Sequence, residues 1–207
     1  FVLDAAGQTG LPLMVSTGMA DLADVAWAVE RLGEAELLLF HCTSAYPAPP
    51  EELNLRAVST LYERFDRPVG LSDHSLGGEA ACLALALGAC AVEKHFTLDR
   101  GGAGPDHAAS LDPPAFREMV QGLRRAERML GDGRKRLTPA EEDTRSVARK
   151  GLRATVRLAA GHLLTPGDLT AMRPPVGLDP RMADRVCGRR LKKPLAAGQP
   201  LTEDDLE

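Results

Sequence analysis

The sequence predicts an α/β chain: half of a (β/α)8 TIM barrel followed by a small β-rich domain. Three observations carry that prediction. From Leu11 to about Leu130 short apolar runs alternate with amphipathic stretches, as repeated βα units with a parallel sheet require. Each apolar run ends in a polar cluster. The last fifty or so residues instead contain an internal echo with turn chemistry.

The runs are Leu13–Val15, Leu37–Phe40, Pro68–Leu71 and Ala89–Val92. Between the first two, Leu22, Val25, Ala26, Val29 and Leu32 recur at helical spacing and stop at Gly33, a C-cap signal. Pro49 and Pro50 are expected to open a second helix that turns Leu53, Val58, Leu61 and Phe65 inward. Gly78–Leu87 is nearly all apolar, and its length and alanine content predict a buried helix. Asp112 with Pro113 and Pro114 starts the last helix of this region, which ends at Gly131. The polar clusters are Ser16-Thr17-Gly18, His41-Cys42-Thr43-Ser44, Ser72-Asp73-His74 and Glu93-Lys94-His95. A (β/α) barrel builds its site at the C-terminal ends of several strands at once, whereas a doubly wound sheet uses only the switch point. Four such clusters in succession favour the barrel. Four units in about 130 residues are half of the ~250 that a full barrel takes.

After Gly131 the composition turns charged. Thr138, Pro139 and Glu141 form a capping box, so Pro139–Arg149 is expected to be a solvated linker helix. The expected division is residues 1–131, a linker over 132–150 and a second domain over 151–207. In that domain the segment starting at Ala159 is matched by the one starting at Ala196 at seven of eleven positions, predicting a pseudo-symmetric β-rich module with short capped turns at Thr165 and Thr202.

Composition narrows the function. Hydrophobic residues make up 44% of the 207 and charged residues 26%, which fits a globular protein with a packed core. No apolar run approaches the ~18 residues of a membrane helix, and a net charge of −4 gives no general attraction to nucleic acid or anionic lipid. Neither is an expected partner. The four cysteines form no CxxC pair, which points to a reducing, cytoplasmic setting.

His74 and His95 fall at corresponding places on neighbouring strands, with Asp73, Glu93 and Asp106 nearby in sequence. Two imidazoles and carboxylates at a barrel mouth can hold a divalent metal with positions open for substrate oxygen; the spacing does not choose among manganese, zinc and iron. Ser16-Thr17-Gly18 and Ser72 are hydroxyl and amide donors suited to a phosphate. Tyr46 lies between a polar strand end and a Pro-rich loop and could line a sugar or carboxylate pocket. The glycine-rich loop Gly101–His107 is expected to be a mobile lid carrying Asp106. Arg134, Lys135 and Arg136 are expected to form a solvated face.

These residues fall into familiar motifs. STGMA (16–20), HCTSAYPAP (41–49), GLSDHS (70–75), EKHFTLD (93–99) and GPDHAASL (104–111) resemble the sialic acid synthase family, and the region from Gly151 resembles its antifreeze-like SAF domain of β-clip type. The resemblance implies barrel strands 5 to 8 and condensation of phosphoenolpyruvate with an N-acylated hexose such as N-acetylmannosamine, giving a nine-carbon 2-keto-3-deoxy sugar acid and phosphate. It implies a divalent metal at His74 and His95, manganese first, with magnesium and cobalt as alternatives. Ser16 and Ser72 match residues at the phosphate or carboxylate of phosphoenolpyruvate. Ser44 and Tyr46 match residues near the substrates, and Glu93 and Asp106 match acidic groups near metal and sugar. Arg173 in MRPPVGL resembles an arginine sent into the partner subunit's site, which implies a domain-swapped homodimer. Pseudaminic and legionaminic acid synthases share the motifs, and a non-catalytic sugar-binding or assembly module is the contrasting class.

In that family earlier strands carry a metal-proximal glutamate, lysines that clamp phosphate and a sugar-binding glutamine. The resemblance therefore marks Phe1 as a cut, leaving only Lys94 and the metal as cationic partners for phosphate. On this expectation the polypeptide alone is inactive, with exposed strand edges; measurable synthase turnover by the purified chain overturns it.

Overall fold

A computed structural model describes residues 1–207. The chain divides into two compact units, Phe1–Gly133 and Arg134–Glu207.

The first unit opens with a short helix, α1 (Val2–Gly7), which the apolar periodicity did not announce. It carries Asp4, whose carboxylate pairs with Arg31. The strands follow as expected: β1 (Leu13–Ser16), β2 (Leu37–Cys42), β3 (Val69–Asp73) and β4 (Val92–Lys94). They form one all-parallel sheet in sequence order, as barrel strands do. Closure into a complete barrel is not a property of these four strands.

Alternation of side chains divides the sheet into two faces. On the helical face Leu39, Val69 and Leu71 are almost wholly buried, each contributing about 1.5–3 kcal/mol of transfer free energy. On the opposite face Met14 is 77% exposed, and Phe40 lies over Gly70. A Cβ on Gly70 would fall 2.6 Å from the Phe40 ring and 2.9 Å from the Ala91 carbonyl, so only glycine fits.

Helix α2 (Leu22–Leu32) begins at Asp21, whose side chain accepts from the amides of Ala23 and Asp24. It ends at Gly33 in a positive-φ conformation, as the sequence predicts. The helix expected from Pro50 is instead a single 3-10 turn over Pro50–Glu52, and α3 runs only over Ala57–Phe65. Asn54, at φ 42°, breaks the path between them. Leu53, Val58 and Leu61 are nevertheless buried where the periodicity put them. Helix α4 (Glu79–Ala86) buries Ala80, Ala81 and Ala84 but leaves Leu83 59% exposed, so it is half-buried rather than enclosed. Helix α5 (Pro113–Leu130) starts at Asp112, which caps the Ala115 amide, and packs Met119 against Ala81 and Leu111.

The second unit begins with the charged stretch. The Thr138/Glu141 capping box is present, opening a 3-10 turn that leads into α6 (Glu142–Ala148). Strands β5 (Gly151–Ala154) and β6 (Leu169–Met172) pair antiparallel, and a short helix, α7 (Ala183–Val186), follows. Their core is leucine-rich, with Leu191, Leu195 and Leu201 fully buried. The echo is visible in the structure: Thr165 with Asp168 and Thr202 with Asp205 form matching capping boxes. No helix of the chain is long and apolar enough to cross a membrane.

Asp205 is buried. Its carboxylate accepts from the Thr202 amide and hydroxyl, both at 2.7 Å, and pairs with Lys193 at 2.9 Å. Burial pushes its pKa up, but the bonds from Thr202 and Lys193 outweigh that and hold it below the ordinary carboxylate value. A lowered folded-state pKa stabilises the fold above the unfolded-state value and ceases to do so as pH falls through the folded-state value. The thermal midpoint of this unit should therefore drop on acidification below about pH 4. Asp205→Asn should flatten that dependence and cost about 1–3 kcal/mol at neutral pH, read by calorimetry across a pH series.

Candidate functional site

The register of β3 against β4 places Ser72 opposite Glu93 and Asp73 opposite Lys94. Side chains alternate, so Ser72 and Glu93 share one face while Asp73 and Lys94 share the other. On the first face the Ser72 hydroxyl donates to Glu93 Oε1 at 2.6 Å.

One residue beyond each strand, the chain delivers His74 and His95 to that same side. Their ring centroids lie 5.4 Å apart in an edge-on arrangement. Tyr46, from the loop after β2, completes the group, with its ring 4.3 Å from His74 and 5.5 Å from His95. Tyr46 and Glu93 are exposed, whereas Ser72 and His74 are buried.

The protonation of His74 follows from its partners. Nδ1 lies 2.8 Å from the Thr43 carbonyl, which can only accept, so Nδ1 carries a proton, and in the neutral ring Nε2 then presents the lone pair. The Ser72 hydroxyl is 3.4 Å from that lone pair. A second bond, from the Ala48 amide to the His74 carbonyl at 2.9 Å, fixes the backbone. An oriented imidazole with its second nitrogen bonded to a carbonyl is the form that ligates metals. The donor set is limited to the two imidazoles, since no group of three or more His, Cys, Asp or Glu side chains is placed to hold a metal ion.

Two neighbours expected to contribute charge do not. Asp73 and Lys94 lie on the other face, 2.8 Å apart, with side chains 0% and 1% exposed. Asp73 is therefore no ligand beside the imidazoles and Lys94 is no partner for a phosphate. The period-two alternation already separates Asp73 from Ser72 and His74, and Lys94 from Glu93 and His95.

Ser16 and Ser44 are exposed. The Ser44 hydroxyl abuts Gly18, where the STG turn crosses the end of β2. Thr17 is tied there too, its hydroxyl donating to the Phe40 carbonyl at 2.8 Å. Cys42, beneath this crossing, is buried; desolvation pushes its thiol pKa up, and the Glu93 charge adds to the effect. His41 points elsewhere, with Nε2 2.8 Å from the Leu53 carbonyl.

Asp106 is exposed and forms no metal-type group with the two imidazoles. Its loop is more tightly knitted than a free lid. Thr97 Oγ1 meets His107 Nδ1 at 2.7 Å, Ser110 donates to the Asp106 carbonyl at 2.7 Å, and Arg100 donates to the Ala108 carbonyl at 2.9 Å. The His107 ring also lies against Gly102 and Gly104. His107 and Thr97 were not singled out from sequence, although the glycines that admit the ring are a signal for such packing.

In the second unit Arg173 is exposed, and its Nε donates to the Ala148 carbonyl at 2.7 Å. The two terminal nitrogens of the guanidinium remain uncommitted. A cavity of about 850 Å³ lies elsewhere in the first unit, lined mostly by apolar side chains including Leu53, Leu76 and Leu83, and contains none of the residues singled out for chemistry.

The NeuB family model matches residues 1–135 and the SAF domain model matches residues 149–207. The chain is 40% identical over 204 residues to an N,N'-diacetyllegionaminic acid synthase of Legionella pneumophila, covering 95% of this chain and 57% of that protein. It is 33% identical to a pseudaminic acid synthase of Helicobacter pylori, covering 100% of this chain and 62% of that protein. Among solved structures, one described as a spore coat polysaccharide biosynthesis protein E from Chromobacterium violaceum matches with a TM-score of 0.76 at 30% identity, covering 100% of this chain and 63% of that one. The chain thus spans about 60% of the length of these relatives.

The crossing of the STG turn over β2 depends on Gly18. A Cβ there would lie 2.3 Å from the Ser44 hydroxyl and 2.9 Å from Cys42 Sγ. Gly18→Ala should cost about 1–3 kcal/mol, read as a lowered denaturation midpoint, with faster alkylation of Cys42 as the turn lifts.

Proposed function

This chain belongs to the NeuB family and carries a SAF domain, and from that premise we propose that it forms the metal-side half of a sugar acid synthase. The reaction joins phosphoenolpyruvate to the open-chain aldehyde of an N-acylated hexose. C3 of the enol bonds to the aldehyde carbon, whose oxygen takes up a proton; water adds at C2 with loss of a proton, and the C2–O bond to phosphate breaks as the new C2 hydroxyl gives its proton to the departing phosphate, leaving a nine-carbon 2-keto-3-deoxy acid. The observation that carries this reading is the group formed by His74, His95 and Tyr46 beside the Ser72–Glu93 hydrogen bond.

His74 Nε2 and the His95 ring would hold a divalent cation, manganese first, which supplies Lewis-acid polarisation of a carbonyl oxygen when bound. The chain's own groups do the rest. Ser72 occupies one oxygen of Glu93 and leaves the other to take a proton from the water that adds at C2. Tyr46 packs one wall against the imidazoles and presents its exposed edge to substrate. Ser16 and Ser44 offer hydroxyls to phosphate or carboxylate, and Asp106 offers a carboxylate to sugar hydroxyls once substrate is bound. Arg173 has a free guanidinium fork suited to a carboxylate, and in this reading it serves the second subunit of a homodimer.

Identity with the N,N'-diacetyllegionaminic acid synthase, at 40%, exceeds that with the pseudaminic acid synthase, at 33%, and favours a legionaminic-type product over a pseudaminic-type one. The test is sugar-dependent release of phosphate from phosphoenolpyruvate by the full-length protein, with each candidate hexose compared. His74→Ala and His95→Ala should each lower kcat at least about 100-fold and abolish Mn2+ binding in calorimetry. A wild-type protein that binds sugar but neither binds Mn2+ nor consumes phosphoenolpyruvate is a binding module and ends this reading.

A further inference from the structure

Behind the imidazole pair, on the helical face of the sheet, Lys94 reaches across from β4 to β3. Its ammonium donates to Asp73 Oδ2 at 2.8 Å and also to the Ser75 carbonyl. The other oxygen of Asp73 accepts from the Ser75 amide at 2.9 Å and from the Ser75 hydroxyl at 2.6 Å. Asp73 and Ser75 are the two chain neighbours of His74, and Lys94 is the chain neighbour of His95. One ammonium therefore grips the chain on both sides of the first imidazole from the residue that precedes the second.

The place of this grip matters. The β3–β4 ladder pairs Leu71 with Val92, Ser72 with Glu93 and Asp73 with Lys94, and there it stops. His74 and His95 stand one residue past the last rung. Other bonds hold each of them from outside: Thr43 and Ala48 bind His74 from the β2 side, and the Leu111 amide donates to the His95 carbonyl at 2.9 Å. Between the two strands at this level, the side-chain links are Ser72 to Glu93 in front and Lys94 to Asp73 and Ser75 behind.

Burial argues against a role in stability alone. Both side chains are withdrawn from water, and a buried ion pair is commonly replaceable by apolar side chains without loss of stability. What apolar side chains cannot replace is the bond to the Ser75 main-chain carbonyl, which resists sliding of the His74 segment along β4.

We propose that Lys94, with Asp73 and Ser75, is a positioning residue that sets the separation of the His74 and His95 imidazoles and thereby the affinity of the pair for a divalent cation. The first half concerns this fold alone; the second rests on the metal reading above.

The test uses the full-length protein with Asp73→Asn/Lys94→Met, which removes both charges at near-constant size and leaves no unpaired buried ion. The metal-free crystal structure should show the imidazole separation changed from 5.4 Å by about 1 Å, and Mn2+ titration followed by electron paramagnetic resonance should show a Kd raised at least about tenfold. Lys94→Arg keeps the charge on a planar fork that cannot reproduce both ammonium contacts, and should give an intermediate change. A folded double variant with unchanged ring separation and unchanged Kd overturns the proposal. If the double variant does not fold, Lys94→Arg decides on the same two readings. A wild type with the imidazoles in place but no affinity for Mn2+ counts against the metal reading only, and ring separation in the variants then decides the role of Lys94.

Discussion

The parallel register of β3 and β4 is the constraint on which the rest of the site depends. Because Ser72 lies opposite Glu93 and Asp73 opposite Lys94, the alternation of the pleat sends two polar pairs to opposite faces. The front pair is a hydroxyl and a carboxylate in reach of the imidazoles. The back pair is an ion pair closed off from water. A slip of one residue would exchange them, placing a lysine beside His74 and a glutamate against the helices. Val92 opposes that slip, since it must remain on the helical face to pack against Ala81, Leu111 and Met119.

His74 shows how several elements meet on one side chain. The loop after β2 supplies the Thr43 carbonyl that selects the tautomer and the Ala48 amide that holds the backbone, while Tyr46 in that loop covers the ring. The loop is itself secured by the core beneath it, where Ala48, Leu53 and Val58 are buried together. The lone pair at Nε2 is thus set by hydrophobic packing several residues away. Preorganisation of this kind is what a site on strand ends gains over one on a free loop.

Much of this was legible in the sequence, and the failures share a physical cause. The four strands, the helix stop at Gly33, the caps at Asp112, Thr165 and Thr202, and the polar strand ends follow from short-range patterns in hydrophobicity and turn chemistry. Asp73 and Lys94 depart from expectation because a cluster of polar residues shows where a strand ends but not which members share a face. Parity counted from Ser72 and His74 supplies that information. The helix from Pro50 failed at Asn54, where one left-handed residue outweighs the apolar spacing on either side. The knit of the glycine loop depends on His107 meeting Thr97 ten residues away, a contact whose one local signal is the pair of glycines that admit the ring.

The second unit applies the same economy in another form. Its two matching turns place Asp168 and Asp205 as caps for Thr165 and Thr202, yet the partners beyond differ: His162 bonds Asp168 and Lys193 bonds Asp205. Repetition fixes the turns while the side chains that bond the capping aspartates diverge, His162 standing where the second copy has Gln199. Arg173 follows β6 at a position outside the echo, and its tether to the Ala148 carbonyl uses one donor and leaves the guanidinium fork open. A bond to a main-chain carbonyl at a helix end orients the side chain without neutralising it. The same device recurs at Lys94, where a main-chain acceptor fixes a cation in place, but there an aspartate also takes the charge. The difference separates the two cations: Lys94 is neutralised inside the fold, whereas Arg173 stays exposed with both terminal nitrogens open.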